Sequence, residues 1–144
     1  MGLSPNIWGK EGWHFIHFIA LTYPIHPTKE DKENYLKFFN SLSSVLPCPF
    51  CGQHFKENME QMPPKLENRE SLFNWTVDMH NLVNRDNGKR EFSYEEAKDE
   101  LQKKANSTIK TISQFNAADI AKGVSLSVSL ITIIIMFSYS VSRK

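Results

Sequence analysis

The chain has 144 residues, a formal net charge of +1 and 12% aromatic residues, among them ten Phe and three Trp. So near-neutral a balance excludes nucleic acid and acidic substrates as partners that charge alone would select. Only two cysteines are present, which excludes a disulfide-stapled secreted scaffold and leaves a redox or metal pair.

The length suits one compact domain of roughly 100 residues followed by an atypical last third. Nearly all the rings fall before residue 95, enough to bury a core or to stack on a flat cofactor. Met1 to Lys10 lacks the basic-then-apolar order of a signal peptide. Residues 11–23 read as a helix ended by Pro24, with Trp13, Ile16, His17, Ala20 and Leu21 on one face. Trp13 and His17 therefore point the same way. Pro27-Thr28 opens a second helix, where Thr28 and Asp31 form a T-x-x-D variant of the capping box. Its apolar face is Tyr35, Phe38, Phe39, Leu42 and Val45, and Pro47 stops it.

The stretch Leu46-Pro47-Cys48-Pro49-Phe50-Cys51-Gly52-Gln53-His54 holds both cysteines. Pro49 suits the first turn of a third helix, where its missing N–H costs nothing. Cys48 then stands at the helix mouth and Cys51 about one turn in. Unpaired N–H groups and the macrodipole favour a thiolate there, as thiol–disulfide exchange requires. This helix runs to the break at Met62-Pro63-Pro64.

A fourth helix spans about Arg69 to Arg85, with stripes Leu72, Trp75, Met79, Val83 and Phe73, Val77, His80, Asn84. Asp86-Asn87-Gly88 signals its end. Ser93 and Glu96 form a capping box for a short fifth helix to about Lys104, with Tyr94, Ala97 and Leu101 inward. No sustained strand alternation occurs in residues 1–105, so the fold class is all-α.

The expected organisation is a domain over 1–104, a polar linker over 105–123 and a membrane anchor over 124–142. The last segment is nineteen residues without a charge, about 28 Å as a helix, close to the hydrocarbon thickness. Six serines in it leave a packed sixth helix or an edge strand as alternatives. Lys122 on one side and Arg143 and Lys144 on the other leave its orientation open.

Three chemistries use a CxxC pair. Zinc needs four ligands, here Cys48 and Cys51 with His54 and His80 or His17, an unusual layout. A thioredoxin-like motif follows a β-strand, and none precedes Cys48. Flavin-linked thiol oxidation is the third. His17 and His80 share faces with Trp residues and inward apolar side chains, and His80 and Asn84 lie one turn apart beside Asn81. Such polar groups bond one another or the heteroatoms of a planar cofactor. Trp75 reads as a core anchor. Asn74-Trp75-Thr76 and Asn106-Ser107-Thr108 match the glycosylation sequon, the first inside a helix and the second in the linker.

Trp8-Gly9-Lys10, Trp13-x-x-x-His17, Tyr23-Pro24, Pro47-Cys48-Pro49-Phe50-Cys51, His80-Asn81-x-Val83-Asn84-Arg85 and Gly88-Lys89 occur together in this order. Over roughly residues 8–104 the chain resembles the Erv/ALR family of FAD-linked sulfhydryl oxidases. The Leu46-Pro47-Cys48-Pro49 run and compact size are similar to viral members, which assist disulfide formation in virion proteins. The resemblance implies a four-helix bundle with a short fifth helix, FAD at one end and a homodimer. It implies that Trp13, His17, Tyr23, His80, Asn81 and Asn84 line the flavin site, with Lys10 and Lys89 at the cofactor's phosphates. It also implies that a substrate thiolate attacks Cys48, that Cys51 faces the flavin, and that electrons pass to O2 with release of H2O2.

Two departures from the family pattern matter: the extra structural disulfide and the distal shuttle Cys pair of many relatives are both absent. Dithiol protein substrates, or a thioredoxin-like or other shuttle, must then reach Cys48 and Cys51 directly. The runner-up is a membrane-tethered zinc module, and a third reading is a purely structural anchored bundle. A virion or host-cell membrane is the expected location.

Overall fold

The structure, a computed structural model, describes residues 2–111. The expected anchor over 124–142 lies outside the described residues, as does most of the expected linker. Among the described residues every regular element is a helix, and no helix is long and apolar enough to cross a membrane. The elements are α1 (Pro5–Leu21), α2 (Lys29–Val45), α3 (Pro49–Gln61), α4 (Arg69–Asp86) and α5 (residues 94–111). One compact unit comprises Met1–Leu101; residues 102–111 belong to a second, and they too are helical, including the first part of the expected linker.

Local chemistry sets the helix boundaries. The α1 helix begins six residues earlier than the apolar pattern predicts, because Ser4 caps it and Pro5 occupies its first position. Gly9 and Gly12 interrupt the apolar period there, and the Trp8 ring covers the space beside Gly12. The Thr28–Asp31 capping box of α2 forms in both directions. Cys48 caps α3 and Asn68 caps α4, each through its side chain. At the C-terminus of α4, Gly88 adopts φ 63°, a left-handed conformation that suits glycine. The Lys89 N–H then reaches back to the Asn84 carbonyl at 2.8 Å. The Ser93–Glu96 box opens α5 as its sequence predicts.

The α1 helix packs on α4, and α2 packs on α3. Their shared core holds Ile16, Ala20, Tyr23, Phe39, Leu42, Phe55, Leu72, Trp75 and Met79, closed on one side by Ala97 and Leu101. Trp75 is wholly buried, and its indole N–H donates to the Met62 carbonyl at 2.9 Å. Two residues expected inward are not. Val45 closes the last turn of α2 and is 68% exposed. Tyr94 is 40% exposed because its hydroxyl donates to the Asp78 carboxylate at 2.8 Å, which holds the ring at the surface.

Gly52 is where α3 crosses α2 most closely: a Cβ there would collide with the Ser43 backbone carbonyl. That atom cannot swing aside as a side chain could. Gly52→Ala should therefore lower the unfolding free energy by about 2 kcal/mol, read as a lower urea midpoint. An unchanged midpoint would mean that the α2–α3 contact is looser than described.

Candidate active site

Cys48 and Cys51 are joined in a disulfide across the first turn of α3, with Cα atoms 5.1 Å apart. Both cysteines are half-buried. The Cys51 backbone N–H donates to Cys48 Sγ at 3.1 Å, and the Gly52 N–H donates to the Cys48 carbonyl at 2.9 Å. A thiolate formed at Cys48 therefore finds an N–H and the positive end of α3 already directed at it. The neighbouring Phe50 is 68% exposed, and its ring lies against His54 at 4.2 Å between centroids.

The disulfide turn is strapped to the start of the chain. The Leu3 N–H donates to the Pro47 carbonyl at 2.8 Å, and the Trp8 indole N–H donates to the Leu3 carbonyl at 3.4 Å. Pro5 and Asn6, which follow directly, line a cavity of about 430 Å3. That volume falls in the range of small-molecule sites. Neither cysteine is among its lining residues.

The sequence-predicted residues Lys10, Trp13, His17, His80, Asn84 and Lys89 all line this cavity. Trp13 and His80 stack nearly parallel, with centroids 4.3 Å apart and an interplanar angle of 8°, forming a flat wall. Lys10 and Lys89 are exposed and supply positive charge. Val83, Phe92 and Leu101 complete an apolar side. Asn84 is buried, and its side-chain Nδ2 has no hydrogen-bond partner among the described residues. A buried N–H left in this way in a cavity wall is a donor that awaits a ligand acceptor.

Tyr23 and Asn81 are not among the lining residues. The Tyr23 ring is fully buried against Tyr35, its hydroxyl donates to the Leu66 carbonyl at 3.1 Å, and its own carbonyl accepts Arg69 Nε at 2.6 Å. Asn81 grips the Phe92 backbone through two 2.9 Å hydrogen bonds, one in each direction. It thereby sets Phe92 in the cavity wall.

Sequence reasoning missed His14 and Glu100, which line the cavity, and Thr76 behind it. His14 lies 3.4 Å from Glu11 and 3.5 Å from Glu100. Its signal was present one residue after Trp13, but its partner on α5 lies 86 positions away.

Behind the cavity, His17 Nδ1 lies 2.9 Å from Thr76 Oγ1, and His17 Nε2 lies 3.1 Å from His80 Nδ1. Burial, then the neighbouring His80 and His14, pull the His17 pKa from 6.5 to about 3. Burial takes His80 from 6.5 to about 4; Glu100 opposes the change, while His14 and Lys89 reinforce it. Both rings are therefore neutral at pH 7 and serve each other. His17 and His80 are thus committed to one another and Cys48 and Cys51 to their disulfide, and among the described residues no three His, Cys, Asp or Glu side chains could hold a metal ion. The zinc ligand set is not assembled.

Residues 10–116 match the Erv1/Alr family. The chain is 44% identical over 104 residues to a probable FAD-linked sulfhydryl oxidase of Acanthamoeba polyphaga mimivirus, covering 70% of this chain and 73% of that protein. It is 34% identical over 77 residues to the mitochondrial FAD-linked sulfhydryl oxidase ERV1 of Saccharomyces cerevisiae, covering 54% of this chain and 41% of that one. The crystal structure of the FAD binding domain of Erv1 from Saccharomyces cerevisiae superposes with a TM-score of 0.63 at 30% identity, covering 65% of this chain and 89% of that domain. This chain belongs to the Erv1/Alr family. It spans less than half of the yeast relative's length but nearly three quarters of the viral one's.

The histidine pair makes stability depend on pH. Folded-state values below the unfolded 6.5 mean that the unfolded chain binds protons first as pH falls, so stability declines below about pH 6.5 and continues to decline towards pH 4. Urea midpoints should therefore drop between pH 7 and pH 5. His17→Phe should flatten that slope, and an unchanged slope would show that the pair is not neutral in the folded state.

Proposed function

We infer that this chain is an FAD-linked sulfhydryl oxidase that makes disulfide bonds in dithiol protein substrates. The observation that carries the inference is a formed Cys48–Cys51 disulfide hydrogen-bonded, through Leu3, to the segment that opens a flat-walled cavity. Membership of the family, and the FAD-linked sulfhydryl oxidase names of its viral and yeast members, support the same activity.

The cavity residues fit FAD. The buried Asn84 N–H seeks an acceptor on a heterocycle, the Trp13–His80 pair offers a flat apolar wall, and Lys10 and Lys89 offer charge to a pyrophosphate. We assign Lys10, Trp13, His17, His80, Asn84 and Lys89 to holding it. Tyr23 and Asn81 act behind them, as a buttress of the core and as the clamp on Phe92.

In the proposed reaction a substrate thiolate attacks Cys48 Sγ, the S–S bond breaks, and Cys51 leaves as a thiolate. A second substrate thiolate then attacks the substrate sulfur of the mixed disulfide and displaces Cys48 as a thiolate. The Cys51 N–H and the N-terminus of α3 stabilise that leaving sulfur. The substrate departs with a new disulfide, and the pair holds two electrons. FAD held in the cavity would supply a two-electron acceptor for the reduced pair, with O2 as the final oxidant and H2O2 as its product. The half-buried pair lies beside exposed Phe50, which favours direct access by a small dithiol protein or a thioredoxin-like shuttle.

We also propose a homodimer. On the outer face of α1, Ile7 is 72% exposed and Phe15 58%, and Phe15 meets Phe38 of α2 edge-on at 6.3 Å. Apolar exposure of this kind suits a second copy of the chain. The uncharged run over 124–142 supports a single-pass anchor, with 105–123 as the linker from the domain over 1–104.

Two measurements test this reading. The purified chain should be yellow, bleach with anaerobic dithiol and recover in air, whereas Cys51→Ser should keep its colour and lose dithiol oxidation to background. Retained turnover in that variant, or a colourless folded chain, would overturn the assignment. In sedimentation velocity the chain should run as a dimer and Phe15→Asp as a monomer; a monomeric wild type would end the dimer proposal.

A further inference from the structure

The polar chain behind the cavity permits one arrangement of protons. Thr76 is wholly buried in α4, and its hydroxyl lies 2.7 Å from the Phe73 carbonyl one turn back. A carbonyl can only accept, so the single Thr76 hydroxyl proton is committed to it. Thr76 Oγ1 can then offer His17 Nδ1 only a lone pair, across 2.9 Å, so that nitrogen must carry a proton. A neutral imidazole has one N–H, which leaves His17 Nε2 as an acceptor. Its partner at 3.1 Å, His80 Nδ1, must therefore be the donor. The remaining nitrogen of His80, Nε2, is left with a bare lone pair on a ring that lines the cavity.

We propose that Thr76 is a positioning residue: through His17 it fixes the tautomer of His80, so that the cavity presents His80 as an acceptor and Asn84 as a donor. His80 and Asn84 lie one turn apart on α4 and both line the cavity. Together they read a planar heteroaromatic edge that carries an N–H donor beside an acceptor. A flavin pyrimidine ring and an adenine both bear such an edge, so the shared chemistry is a donor–acceptor edge of a nitrogen heterocycle. The assignment to a bound cofactor rests on the oxidase reading; the tautomers do not.

Thr76→Val keeps the β-branched shape but removes the acceptor. His17 Nδ1 would then face an alkyl group, and the cheapest remedy is to move the His17 proton to Nε2, where it can donate to His80 Nδ1. His80 would in turn carry its proton on Nε2, and the cavity would present two donors where it had an acceptor and a donor. Thr76→Ser retains the oxygen and should retain the original order.

The experiment is nitrogen-15 NMR of the histidine rings in the full chain at pH 7, with and without FAD, followed by FAD, FMN and ADP titrations of wild type, Thr76→Val and Thr76→Ser. The wild type should show His17 and His80 both protonated at Nδ1, before and after cofactor is added. Thr76→Val should move both protons to Nε2 and weaken FAD binding about tenfold, and Thr76→Ser should restore both. The separate halves identify which edge is read: the one whose affinity falls in Thr76→Val is the one that donates to His80. A wild-type His80 protonated at Nε2 would overturn the proposal without any variant. So would unchanged affinity for all three ligands in a Thr76→Val chain whose tautomers have moved. A chain with the expected tautomers that takes up no flavin would overturn the oxidase reading and leave the tautomer assignment standing.

Discussion

Two imidazoles in the seam between α1 and α4, His17 buried and His80 half-buried, are the constraint on which the rest of the site depends. Taking His17 and His80 out of water is costly unless each ring nitrogen finds a partner or faces a ligand. Thr76, the Phe73 carbonyl and the two rings meet that demand in series. Once His80 is tied to His17, its plane is set, and Trp13 can lie flat against it. The wall of the cavity, and the position of Asn84 one turn along α4, follow from that arrangement. Partly satisfied polar networks are ordinarily a liability. Here the unsatisfied ends face a cavity, which is where a ligand would complete them.

A second constraint acts at the disulfide. Pro47 ends one helix and Pro49 begins the next, so Cys48 has little conformational freedom and its sulfur meets the Cys51 N–H. Gly52 lets α3 lie against the Ser43 backbone, which holds the whole turn to α2. On the other side the Leu3–Pro47 hydrogen bond carries the chain into α1 and its cavity residues. The redox pair and the cavity are thus coupled by backbone, not by flexible side chains. The price of this proximity is that the opening residues of the chain are structural.

Much of this was legible in the amino-acid order because it depends on neighbours. Capping boxes at Thr28–Asp31 and Ser93–Glu96, proline boundaries around Cys48 and the stripe Leu72–Trp75–Met79 all depend on residues within a turn or two of each other. The start of α1 was not legible from apolar periodicity, because Gly9 and Gly12 interrupt it while a cap and a proline set the boundary. Val45 and Tyr94 lie on the expected faces yet stay exposed. At the last turn of α2 no neighbour covers Val45, and the Asp78 hydrogen bond outweighs the burial of one phenol ring. Tyr23 and Asn81 belong to the recurring motifs, but their hydrogen bonds reach Leu66 and Phe92, partners that no local pattern announces.

By itself, the order of residues determined five helices, a CxxC pair at a helix mouth, and a set of His, Trp and Asn side chains at helical spacing. Those depend on local dihedral preference, capping and the 3.6-residue period. Only the tertiary structure decided which histidine nitrogen meets which partner, that Thr76 stands behind them, and that Asn84 is left with a free donor. The reason is distance along the chain: His17 and Thr76 are 59 positions apart and His17 and His80 are 63 apart. Hydrogen-bond donors and acceptors become complementary only when packing has brought α1 onto α4.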